Sequence, residues 1–182
     1  MLWNAHSKLI GEHAFLSPSN YHWVNYSDQK LVETYWNRQE ARRGSELHAL
    51  AASLIKMGVK LPRTGATLNR YVNDAIGHKM NPEQTLFYSI NAFGTCDAIS
   101  FHNNLLRIHD LKTGVTPASM MQLKVYAALF CLEYRHKPKN IAMELRIYIN
   151  DNVEVLVPDA EDIQRIMDVV VDFDKKIDAI KQ

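Results

Sequence analysis

Asn103-Asn104 lies between two runs rich in β-branched and aromatic residues, Phe93 to Phe101 and Leu105 to Lys112. Asparagine tolerates positive φ, so the pair predicts a two-residue hairpin turn, and such a turn fixes the strand register. Counted outward from it, Phe101 faces Leu106, Ile99 faces Ile108 and Asp97 faces Asp110. The shared face is apolar near the turn and ends in two carboxylates about 5 Å apart. Like charges at that separation on a buried face are destabilising unless a cation lies between them. Mg2+ or Mn2+, which takes oxygen ligands at about 2.0–2.2 Å, meets that need. Lys112, two residues beyond Asp110, shares the face and stands where an ammonium can steady a metal-bound water or a developing phosphorane charge. A blander arrangement is also open, with Asp97 turned to solvent and Asp110 and Lys112 forming an edge ion pair. A three-residue loop would break the Asp97–Asp110 pairing altogether.

Around this hairpin the pattern alternates between helical and strand periods. Ser27 caps a helix over Asp28 to Arg42, Gly44 and Ser45 open a second over Glu46 to Met57 that Gly58 closes, and a third runs from Ala66 to Ile76. Thr85 to Asn91 joins the hairpin as a three-stranded antiparallel meander. Thr116 and Pro117 then start a helix to Tyr134. Ile141 to Ile149 and Val153 to Val157 read as two more strands, and Asp159 begins a last helix to Ile180. The expectation is an α/β (α+β) fold, a central mixed sheet flanked by helices. At 182 residues it is read as one domain, with a core over about 16–157 and an acidic C-terminal helix over about 159–180.

At the hairpin the sequence resembles the PD-(D/E)XK nuclease superfamily, in its RecB-like branch of phage-type recombination exonucleases. Gly94-Thr95-Cys96-Asp97 and Asp110-Leu111-Lys112-Thr113-Gly114 look like the G-x-x-D and D-x-K-T-G catalytic blocks. Gln122-x-x-x-Tyr126 resembles the Q-x-x-x-Y element, Gly44-x-x-x-His48 the G-x-x-x-H element, and Ser17-Pro18-Ser19 the S-P-S entry segment. The ordered set is specific where each block alone is weak. The resemblance implies a restriction-endonuclease-like core in which Asp97, Asp110, His48 and the Leu111 carbonyl hold Mg2+ or Mn2+ and Lys112 is the catalytic lysine. It further implies that Gln122 orients Lys112 or a phosphate, and that Tyr126 contacts DNA. Read without it, His48 is a hydrogen-bonded core histidine and Tyr126 part of a core stripe. The family often carries Glu after the G-x-x-x-H histidine, where this chain has Ala49, and it often has an acidic residue near Glu83.

The formal charge of +1 argues against a nucleic-acid protein only until it is divided. Residues 1–150 hold 17 Lys and Arg against 11 Asp and Glu, and residues 151–182 hold 4 against 9. DNA would face the first part. Cys96 and Cys131 form no zinc, iron–sulfur or disulfide pattern, and His6, Lys8, Glu12 and His13 interrupt any apolar leader, so a reducing cytoplasm is expected, bacterial or that of a phage-infected host, with no membrane partner. The resemblance implies DNA as substrate, a DNA exonuclease activity in recombination or end processing, and a single-strand annealing protein as partner; it leaves homo-oligomerisation open. A catalytically silent DNA-binding or assembly protein of the same fold is the alternative.

Overall fold

The computed structural model describes residues 14–113 and 119–181. The readings of Thr116, Pro117, Gly114 and the segment up to His13 lie outside them. The described chain divides into two compact units, one ending at Arg43 and one beginning at Gly44. In the first, Pro18–Asn25 forms a 3-10 turn, and Ser27 Oγ accepts the Lys30 N–H at 3.3 Å as a helix cap.

Helix α1 runs unbroken over Asp28–Met57, which corrects the expectation of two helices meeting at Gly44. A glycine inside a helix costs only about 1 kcal/mol relative to alanine, too little to end a helix whose remaining residues favour it. Gly58, at φ +67°, closes α1 as expected. Helix α2 follows over Thr67–Gly77.

The second unit is built on a five-stranded mixed sheet in the order β1-β2-β3-β4-β5, with β1 Asn81–Ser89, β2 Ala92–His102, β3 Leu105–Leu111, β4 Ala142–Ile149 and β5 Asn152–Leu156. The first three strands are the antiparallel meander read from sequence. Asn103 and Asn104 have φ of 51° and 60°, and Phe101 pairs with Leu106 and Ile99 with Ile108, the register that the two-residue turn dictates. Asn150 and Asp151 repeat the device with φ of 49° and 57°, so Asn152 belongs to β5. Strand β3 pairs with β4 in parallel, and the connection between them carries helix α3, Met120–Glu133. Ser119 caps α3, its side chain accepting the Met121 N–H.

Residues alternate between two covered faces of the sheet. One face, with Ile99, Leu106, Ile108, Leu145 and Ile147, packs on α3, and Ile163 of helix α4, Ala160–Ile180, joins the same core. The other, with Ala98, Leu111 and Tyr148, packs on Ala51 and Ile55 of α1 and on Tyr71, Val72 and Ala75 of α2. Both cysteines are buried free thiols. Among the described residues no helix is long and apolar enough to cross a membrane.

Candidate metal centre

The β2–β3 pairs end at Ala98–His109, one residue short of Asp97 and Asp110. There the Asp97 side chain takes over from the backbone ladder: its Oδ2 accepts the Leu111 N–H at 2.8 Å. Its other oxygen faces α1, where His48 Nδ1 lies 3.3 Å from Oδ1. This carboxylate raises the His48 imidazole above its ordinary range, against the opposing effect of burial.

Asp110 is 6% exposed in its side chain, and Lys112 Nζ stands 3.0 Å from its Oδ2 and 3.2 Å from its Oδ1. Hydrogen-bond geometry is met only at Oδ1, so Oδ2 is a buried oxygen with no hydrogen-bond partner. Burial, and then the nearby Asp97, push the Asp110 carboxyl up, while Lys112 pulls it down. The Lys112 ammonium also donates to Gln122 Oε1 at 3.1 Å, so α3 and β3 hold it together.

Glu83 joins this group in the structure. Glu83 falls between the Pro82–Ala98 and Gln84–Cys96 pairs of β1 and β2, level with Asp97. Ligand atoms of His48, Glu83 and Asp97 all lie within 4.8 Å of one another. Burial, then Asp97, raises the Glu83 carboxyl. Glu83, Asp97 and Asp110 thus form a row of carboxylates across three neighbouring strands.

The remaining expected site residues are placed as follows. Leu111 is buried, and its N–H is the group bonded to Asp97. Tyr126 donates its hydroxyl proton to the Thr95 carbonyl at 2.6 Å, which braces α3 against β2 beside Asp97 and leaves only the ring and an oxygen lone pair for any ligand. Gly94 makes room for that ring, since a Cβ there would stand 3.1 Å from Tyr126 Cε1. A Cβ on Gly44 would meet Thr113 Oγ1 at 2.8 Å.

His48, Glu83 and Asp97 could hold a metal ion. The donors are carboxylate oxygens and one imidazole, the oxygen and nitrogen ligands that such an ion takes. Comparison of the chain with family models, curated proteins and solved structures finds no match.

Proposed function

We propose that this protein is a divalent-metal-dependent deoxyribonuclease with a PD-(D/E)XK core of the RecB-like type, acting on DNA ends as an exonuclease. The observation that carries the reading is the Lys112 ammonium held between Asp110 and Gln122, beside the Glu83–Asp97–Asp110 row and His48. A structural ion pair on a sheet edge requires neither the second acceptor on α3 nor a row of three acids.

His48, Glu83, Asp97 and Asp110 are the residues that would hold Mg2+ or Mn2+. The ion, when bound, supplies Lewis-acid activation of water and neutralises phosphate charge. Each remaining part follows from the chain's own groups. Lys112 has three N–H donors, and Asp110 and Gln122 take two, which leaves one to direct at the attacking water or a phosphate oxygen. The two anchors fix that donor before substrate arrives, so little reorganisation accompanies attack on the phosphorus. Leu111 N–H pins the Asp97 carboxylate and limits its rotation. Gln122 is a positioning residue acting through Lys112.

The excess of basic residues in 1–150 supports DNA as the substrate, and the acidic C-terminal helix is expected to lie off its path. A single-strand annealing protein as partner, assembly of several copies, and a cytoplasmic setting belong to the same proposal. The test is degradation of linear, end-labelled DNA and of closed circular DNA with Mn2+ or Mg2+. Loss of the linear substrate alone, abolished by EDTA and by Lys112→Ala, is the expected result. Undiminished cutting in EDTA or in Lys112→Ala would refute the metal-dependent mechanism, and cutting of the circle would refute the end-directed mode.

A further inference from the structure

The sheet face turned toward α2 carries a second group of metal-ligating side chains. Arg107 and His109 of β3 share that face with Glu144, Arg146 and Tyr148 of β4, because Arg107 is level with Glu144 and His109 with Arg146. His109 and Asp110 are consecutive, so they point to opposite faces. His78 follows the end of α2 and sets its ring edge-to-face with that of His109, centroids 5.7 Å apart. Ligand atoms of His78, His109 and Glu144 lie within 4.8 Å of one another.

Hydrogen bonding fixes the His109 tautomer. The Tyr148 hydroxyl has one proton and donates it to Asp74 Oδ2 at 2.7 Å. Toward His109 Nδ1, 3.3 Å away, the same oxygen can therefore only accept, so Nδ1 carries the hydrogen. Nε2 is left with a bare lone pair, and in a residue with no exposed surface that nitrogen has no hydrogen-bond partner. A carboxylate and a hydroxyl bracing the far nitrogen of a histidine form the outer shell typical of an imidazole that binds a metal. Glu144 is likewise fixed, because Arg107 Nε at 3.2 Å and Arg146 Nε at 3.0 Å both hold its Oε1.

We propose that His78, His109 and Glu144 form a second metal site, separate from the candidate centre and suited to a borderline ion of the Zn2+ class. Two imidazoles and one carboxylate are a zinc-type donor set. The surrounding charges of Arg107, Arg146, Asp74 and Glu144 cancel, so a hard ion such as Mg2+ gains nothing from net charge and the imidazole donors decide affinity. Ligation requires neutral imidazoles, and the unpartnered Nε2 lone pair of His109 is already free to coordinate. An ion there ties the end of α2 to β3 and β4.

The experiment is calorimetric titration of the metal-free protein with Zn2+ alone, using Asp97→Asn/Asp110→Asn to silence the candidate centre. One equivalent should bind to that variant, and adding His78→Ala should weaken binding at least tenfold. His78 is half-buried at a helix end, so the fold should survive, as circular dichroism will check. His78→Gln gives a second variant. Co2+ bound to the Asp97→Asn/Asp110→Asn protein should show tetrahedral absorption bands and two paramagnetically shifted imidazole N–H signals. No Zn2+ bound to that protein, binding undiminished by loss of His78, or Co2+ signals from fewer than two histidines would each overturn the proposal. None of these readouts depends on nuclease activity.

Discussion

Asp97 Oδ2 accepts the Leu111 N–H at 2.8 Å, so one carboxylate both closes the end of the β2–β3 hairpin and faces His48 across the candidate centre. The two roles separate by substitution. In Asp97→Asn the side-chain oxygen can still accept the Leu111 N–H, while the negative charge that a cation needs is gone. Asp97→Ala also leaves the N–H of a buried residue without its acceptor, which costs about 1–3 kcal/mol. The expected outcome is Mn2+ binding lost in both variants, with a lower urea midpoint in the alanine variant only. Equal midpoints would mean that the Leu111 bond contributes nothing to stability.

Lys112 is held from two elements, and the second anchor has its own signature. Gln122→Leu leaves Lys112 bound to Asp110 but free to turn, so kcat should fall about tenfold to a hundredfold, the scale of lost orientation, while DNA binding changes little. Lys112→Ala should abolish cutting and also lower stability by about 1–2 kcal/mol, because the buried Asp110 loses its partner. Single-turnover kinetics and urea denaturation of the same preparations check both. A Gln122→Leu protein with full kcat would remove the positioning role.

The hairpin was legible because the Asn103-Asn104 turn left one register, which the pairs from His102–Leu105 to Ala98–His109 follow. Glu83 was not legible, for two physical reasons. Pro82 looks like a strand breaker, yet β1 is an edge strand where a missing N–H is tolerated, and the strand starts at Asn81. The turn beyond β1 also misleads. Ser89 pairs with Ala92 but Phe87 with Phe93, so a bulge shifts the register by one residue. Counting from that turn would set Gln84 opposite Asp97, and only the bulge brings Glu83 level with it. The unbroken α1 was missed for the opposite reason, since Gly44 and Ser45 weaken a helix without being able to end it. The His78–His109–Glu144 group had no sequence signal, because it joins a helix end to two strands that are parallel only once α3 has crossed over.

In the metal-free protein two histidines should drive stability in opposite directions with pH. His109 is pushed from its ordinary 6.5 down to about 2, first by burial, then by Arg146, His78 and Arg107, with Tyr148, Asp74 and Glu144 the other polar groups around it. Its neutral form contributes stability that is full above pH 6.5 and is lost as pH falls below it, when the unfolded chain takes up the proton first. His48 is raised by Asp97, so its contribution is full below pH 6.5 and is lost as pH rises through its folded value. The two partly cancel near neutrality. His48→Asn removes the compensating group, so its urea midpoint, measured in chelator, should drop more between pH 7.5 and 5.5 than that of the unaltered protein. The limiting slope is about 1.4 kcal/mol per pH unit for one proton. An equal or smaller drop in His48→Asn would contradict the assignment.

Gly94 and Tyr126 should be coupled. Within a strand, alanine ordinarily replaces glycine at a gain of about 0.5–1 kcal/mol, because the unfolded chain loses freedom. Here the added Cβ would stand 3.1 Å from Tyr126 Cε1, closer than the aromatic ring can accept without moving, and that ring is anchored by its hydroxyl on the Thr95 carbonyl. Gly94→Ala should therefore destabilise, by about 1–2 kcal/mol, the scale of a modest overpacking. Shifting α3 also shifts Gln122, one turn before Tyr126, so the Lys112 anchor loosens and nuclease activity should fall with stability. In a Tyr126→Ala background the clash is absent, and the same glycine substitution should become neutral or stabilising. A double-mutant cycle on urea midpoints measures the difference. Additive effects would show that Gly94 does not act through the Tyr126 ring.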